Sequence, residues 1–352
     1  MRPEDATLSL LKELIELPGL SGYEGPVQRR MHAEWEPLSD EIRVGRIGSL
    51  YARKRGSGQE PRKSVMLAAH MDAIGMMVSE LVEGFIRVAP IGGLDPRVLP
   101  GQPVIVHGRR ELPGIVVQPP DHNLPDDLSR KPIPLKYLLV DVGLPDPARL
   151  VRIGDLISFA QPPIELGEDV LSGHSLDNRA SLVAITECLR ELGQRDHEWD
   201  VLAVATVQEE ETFAGAYAAG FELKPSIAIA VDVTFARGPG LPEHKTFKFG
   251  KGPANGWGPN IHPGIYSAIE EAAKRVEIPL TREVLPVHSG TDAFPLQIAG
   301  EGIPTGLISI PLKYMHTPVE VVSIKDVQRT GRLLAEVVAG LAADFMDTLT
   351  WD

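Results

Sequence analysis

Val201-Leu-Ala-Val-Ala-Thr-Val-Gln-Glu-Glu210 decides the fold. A run of small and β-branched apolar residues bounded by charge reads as a strand buried on both faces, and such a strand belongs to a parallel or mixed sheet covered by helices. The carboxylates Glu209 and Glu210, with Glu211 beside them, fall at its carboxyl end, the side on which open α/β sheets bind their ligands. Successive strand side chains point to opposite faces, so Glu209 and Glu210 share a site only if the chain turns there. Thr212-Phe-Ala-Gly215 is the expected turn.

Upstream of this strand, Leu8, Leu11, Leu14 and Ile15 recur at helical spacing, and Pro18-Gly19 ends the helix. Ser21 and Glu24 have the spacing of a capping box ahead of a second helix, Val27 to Trp35. Ile42 to Val44 and Leu50 to Arg53 read as strands, and Ser64 to His70 as another buried one. From about Ile74 to Gln161 the texture changes to short β runs broken by Gly, Pro and Asp: 84–88, 104–107, 114–118, 138–142 and 155–159. That pattern predicts a small barrel or sandwich. A Pro-rich loop, expected to be mobile, spans Pro119 to Pro134.

Downstream, α/β alternation resumes. Helices are predicted over 178–192, 214–221, 263–276 and 291–299, strands over 226–232, 280–284 and 305–309, and a last helix from Ser323 to about Met346. The expected fold is an α/β/α three-layer domain with a mixed sheet, formed by residues 1–72 and 164–352 and interrupted by a β-barrel-like insertion at 73–163.

The chain has 352 residues, 43% hydrophobic and 24% charged, with 35 basic and 48 acidic side chains giving a net charge of −13. No block of Lys and Arg offers the clustered charge that phosphate backbones require, so nucleic acid is not an expected partner. A single cysteine, Cys188, excludes an internal disulfide framework and lies in a helical apolar pattern, where an inert thiol is expected. The N-terminus leads into a charged amphipathic helix, and no apolar run is long enough to span a membrane. A cytoplasmic protein with no membrane partner is the expectation.

Five metal-ligating side chains fall at boundaries between apolar elements and loops: His70, Asp177, Glu210, Asp232 and His316. Taken singly, each reads as well as a helix cap or a solvated strand end. Together they offer three carboxylates and two imidazoles without a thiolate, the donor set of borderline ions such as zinc, cobalt or manganese. Two ions about 3.5 to 4 Å apart need one bridging carboxylate, two terminal carboxylates and two imidazoles, which this set supplies.

His70-Met-Asp72-Ala-Ile-Gly75, Leu176-Asp177-Asn-Arg179, Gln208-Glu-Glu210, Asp232-Val-Thr234, Gly290-Thr-Asp292 and Tyr314-Met-His316-Thr-Pro-Val-Glu320 resemble, in order, the motifs of the tetrahedral, or glutamyl, aminopeptidases, di-metal exopeptidases some of which carry an endoglucanase label. The resemblance covers nearly the whole chain. The long interval between His70 and Asp177, with room for a whole domain, separates it from relatives whose extra domain lies later.

The resemblance implies that His70, Asp177 and Asp232 hold one ion and Asp177, Glu210 and His316 the other, zinc or cobalt, with Asp177 bridging. It implies Glu209 as general base, Asp72 as the partner that orients His70, and Gly290, Thr291 and Lys313 as lining for a peptide with a free N-terminus. It also implies a cis bond between Asp177 and Asn178, and homo-oligomers in which the β insertion pairs subunits and dimers build a hollow dodecamer. Two departures stand out: Asn178 replaces a second Asp, and Glu211-Thr-Phe213 replaces a small residue and Gly. The rival readings are a deacylase or a glycoside hydrolase on the same scaffold, or a catalytically silent metal-binding scaffold. An aromatic content of 5% argues against the sugar platforms of a glycosidase.

Overall fold

The computed structural model describes residues 3–125, 128 and 131–351. Four positions of the Pro119 to Pro134 loop, 126, 127, 129 and 130, lie outside the described residues, and with them part of the expectation for that loop.

The larger sheet has eleven strands. Asp200–Thr206 lies between Leu50–Lys54, antiparallel to it, and Ser64–His70, parallel to it. Ser64–His70 pairs parallel with Ile227–Phe235, which pairs parallel with Thr305–Lys313. Antiparallel pairs flank this parallel centre, so the sheet is mixed. Alternation along Ser64–His70 assigns the two cores. Val65, Leu67 and Ala69 face the helices Pro3–Glu16, Leu176–Leu192 and Ile324–Ala339, whereas Met66 and Ala68 face Ala214–Leu223 and Ala293–Ile298. The result is the expected three-layer α/β/α unit.

The six strands between residues 75 and 159 close into a barrel around their own core, which includes Val88, Val104, Val116, Val140 and Ile157. The chain enters it directly after His70 and returns to the large sheet ahead of Asp177.

Several local expectations are corrected. Glu24 stands at the start of the helix Gly25–Trp35, but its carboxylate accepts the amides of Gly22 at 2.7 Å and Gln208 at 3.0 Å, and the Ser21 hydroxyl has no partner. The capping box is therefore not made. A first barrel strand, Gly75–Val82, went unrecognised. The last helix stops at Ala339 with Gly340 as its cap, and the apolar residues beyond it, Phe345 and Met346, pack on the core from a separate short turn. No helix among the described residues is long and apolar enough to cross a membrane.

Candidate metal centre and active site

The candidate ligands cluster in or near the carboxyl-terminal parts of strands of the large sheet and at helix starts. His70 closes Ser64–His70, Asp232 lies within Ile227–Phe235, and His316 follows Thr305–Lys313. Asp177 opens the helix Leu176–Leu192, and the Asp177–Asn178 bond is cis. After Asp200–Thr206 the chain turns at Gln208, whose φ is 58°, and the glutamates begin a helical turn, Glu209–Thr212. The turn that brings the two acids together thus precedes them; it was expected after them, at 212–215.

One oxygen of Asp177 lies 3.2 Å from Nε2 of His70, and the other lies 3.3 Å from Nε2 of His316. Asp232 approaches the same His70 nitrogen at 4.0 Å, and Glu210 the same His316 nitrogen at 3.4 Å. Among the described residues three trios have ligand atoms within 4.8 Å of one another: His70–Asp177–Asp232, Asp177–Glu210–His316 and His70–Glu209–Glu210. Asp177 belongs to the first two. Glu209 stands beside them, one oxygen 3.7 Å from His70.

Burial raises the carboxyls of Glu209, to about 10, and Glu210, to about 8, with neighbouring acids adding to the effect. Burial and Asp177 likewise drive Asp232 upward. In Asp177 burial is outweighed by His316 and His70, which hold it far below the carboxylate range, and hydrogen bonding to Asp177 lifts His316 to about 9. Among the described residues no lysine or arginine pairs with these acids. A buried concentration of carboxylate and imidazole of this composition fits divalent ions of the zinc and cobalt kind.

A supporting set of carboxylates aims the ligands. Asp72 accepts the amides of Glu209 at 3.0 Å and Glu210 at 3.1 Å, and lies 3.4 Å from Nδ1 of His70, whose closer contact is the Asp72 carbonyl at 3.1 Å. Glu320 accepts the amides of Asp177 at 3.0 Å and His316 at 2.9 Å. Thr206 donates to Asp292 at 2.5 Å, and burial raises that acid to about 6. Glu320 and Asp292 stood inside recognised motifs without a role. Only strand pairing, which sets Glu320 opposite Gly173, reveals what Glu320 holds.

The cluster opens into a cavity of about 600 Å³. Gly290 and Thr291 line it together with Phe213 and Glu283. Lys313 is not among its lining residues; its ammonium stands 4.5 Å from the ring centre of Phe249. His174 is buried against Ser175 and Phe159 and held neutral by that burial.

The sequence profile of the M42 glutamyl aminopeptidases matches residues 48–333. The chain belongs to the M42 glutamyl aminopeptidase family. It is 38% identical to a lysyl aminopeptidase of Pyrococcus furiosus over 92% of this chain and 94% of that protein. A TET aminopeptidase from the marine sediment archaeon Thaumarchaeota archaeon SCGC AB-539-E09 superposes with a TM-score of 0.92 at 28% identity, covering 98% of this chain and 99% of the other. The Pyrococcus horikoshii TET1 peptidase, described as assembling into a tetrahedron or a large octahedral shell, gives 0.82 at 26% identity over 95% and 100%.

In this M42 chain both departures have local explanations. The Asn178 amide donates to the Val231 carbonyl at 2.9 Å, a bond that a charged aspartate cannot make. Phe213 adopts φ 55°, a left-handed conformation that glycine tolerates most easily, and its side chain becomes part of the cavity wall.

Proposed function

We propose that the protein is a metal-dependent aminopeptidase that removes N-terminal residues from peptides, with Glu209 as general base. The observation that carries this reading is Asp177, one carboxylate oxygen turned to each of two imidazoles. His70 with Asp232, and His316 with Glu210, would complete the two trios around it.

When bound, two divalent ions would lower the pKa of the attacking water and polarise the scissile carbonyl. Glu209, in its ionised form, takes the proton of that water and returns it to the leaving amine; burial alone favours the protonated carboxyl, and the positive charge of bound ions would favour the carboxylate. Asp72 holds Glu209 in place through its backbone amide. The free α-amine of the peptide is received beside the acids, which fixes cleavage at the first peptide bond. Gly290 and Thr291 border the peptide in the cavity.

Peptides offered with free and acetylated N-termini, to protein dialysed against zinc or cobalt, test the reading by mass spectrometry. Stepwise trimming of the free peptides alone, abolished in Glu209→Gln, is the expected result. Protein that holds two ions and trims nothing would sink it.

Assembly into a homo-oligomer follows from the shells described for the P. horikoshii relative. The barrel, with Ile115 and Ile153 exposed on it, is the proposed subunit contact. Mass photometry at nanomolar concentration would reveal a monomer if this is wrong.

A further inference from the structure

Among the described residues, Glu283 is the one acid of the cavity wall that serves neither as candidate ligand nor as general base. Its oxygens accept hydrogen bonds from the hydroxyls of Thr234 at 2.5 Å and Ser309 at 2.6 Å. Both hydroxyl residues are buried, and burial raises the Glu283 carboxyl above the usual range. Among the described residues no cation pairs with it. The neighbouring Arg282 is turned elsewhere, donating to the Tyr266 hydroxyl at 2.7 Å and lying over the rings of Trp257 and Tyr266. His244 and Lys245 line the same cavity but stand exposed. A half-buried carboxylate without a counter-ion is costly to maintain, and it faces the space that substrate enters.

Its distance from the chemistry is set by the sheet. Ser309 is the cross-strand partner of Asp232, and Thr234 follows Asp232 by one pleat on the same face. Two residues of strand span about 6.8 Å. That span matches the four-carbon stem of a lysine whose α-amine sits by the ligand acids. Phe213, Phe247, Leu285, Leu307 and Met315 line the intervening cavity with apolar surface suited to methylenes.

We infer that Glu283 receives the cationic end of the first side chain of the substrate, so that the enzyme prefers peptides beginning with lysine or arginine. This rests on the aminopeptidase reading. It adds the substrate class, and it makes Glu283 a specificity-determining residue rather than a structural acid.

The test is kcat/KM of metal-loaded protein on the p-nitroanilides of lysine, arginine, leucine and glutamate. The expected wild-type order places lysine and arginine above leucine, with glutamate last. In Glu283→Gln the lysine-to-leucine ratio falls roughly ten- to a hundredfold, the worth of a hydrogen bond to a charged group, and the loss is carried mainly by KM. The ratio is taken within each protein, so a partly unfolded variant does not distort it. Glu283→Asp, which keeps the charge, retains a ratio above that of Glu283→Gln. Wild type that cleaves leucine at least as well as lysine and arginine, a ratio unmoved in Glu283→Gln, or a ratio in Glu283→Asp no higher than in Glu283→Gln overturns the inference. Wild type that cleaves none of the four instead overturns the aminopeptidase reading on which it rests.

Discussion

The backbone amide of Glu209 donates to a buried oxygen of Asp72 at 3.0 Å, and the other oxygen takes the amide of Glu210 at 3.1 Å. Burial opposes the charge on Asp72, but His70 and these two amides together keep the carboxyl below its usual range. A single carboxylate thereby contacts the His70 ring and fixes the turn that presents Glu209 and Glu210, the proposed general base and one proposed ligand. Asp72→Asn replaces one acceptor with a donor and leaves an amide unpaired. Metal affinity is expected to fall about 10- to 100-fold, with kcat/KM falling alongside it. Isothermal titration with zinc, paired with steady-state kinetics, checks this; unchanged affinity would remove Asp72 from that role.

Glu320 performs the equivalent task for Asp177 and His316, whose backbone amides it accepts. Glu320→Gln should weaken the Asp177–His316 pairing and lower ion occupancy about tenfold or more. Elemental analysis after dialysis at fixed free zinc reads the outcome directly. Two ions retained per chain at wild-type affinity would show that Asp177 and His316 keep their positions unaided.

Gly93 lies where a barrel loop meets the catalytic unit. A methyl group added there would stand 2.9 Å from Nδ1 of His316, and the adjacent Gly92 amide is anchored to Glu211 at 2.6 Å. Gly93→Ala is therefore expected to displace the imidazole and cost at least about tenfold in affinity for one of two ions, while the thermal unfolding of the metal-free protein changes little. Biphasic zinc binding with one weakened phase supports this. Two unaltered sites would exclude it.

Asp200 supplies a pH-dependent contribution to stability away from the active site. Burial raises its carboxyl, but Arg53 at 2.5 Å, the Gly56 amide at 2.9 Å and Arg62 at 2.7 Å outweigh that and lower it. A carboxyl depressed in the folded state stabilises it above the unfolded value, near about 3.9, and the contribution disappears as pH falls through the folded value. Arg53 is partly exposed, which screens its share. Asp200→Asn is expected to cost about 1–3 kcal/mol at pH 7, with the gap to wild type closing below about pH 4. Urea denaturation of both proteins across that range measures it, and a gap independent of pH would refute the assignment.

What could be read in advance, and what could not, follows from the range of the interactions. The strand from Asp200 and the ligand at its end were legible because buried parallel strands announce themselves as apolar runs and the acids follow immediately. Gly75–Val82 was not, since a register shift between Val78 and Glu80 breaks its alternation. The last helix was read too long because Phe345 and Met346 continue the apolar period while packing from a separate turn. Glu24, Glu283 and Glu320 were opaque for another reason: each acts on partners far along the chain or across the sheet, and no local pattern encodes that. The Ser21–Glu24 spacing suggested a purely local cap, whereas the structure shares Glu24 between the amides of nearby Gly22 and distant Gln208.

The interruption of the large sheet by a barrel has a consequence in time. The candidate ligands are scattered from residue 70 to residue 316, and Asp177, the proposed bridging carboxylate, is translated only after the whole barrel sequence. A chain still emerging from the ribosome possesses its first imidazole long before it possesses the last. Until the strand Thr305–Lys313 has docked beside Ile227–Phe235, His316 cannot face Asp177. The candidate metal centre is thus among the last parts of the molecule that its order of synthesis can complete.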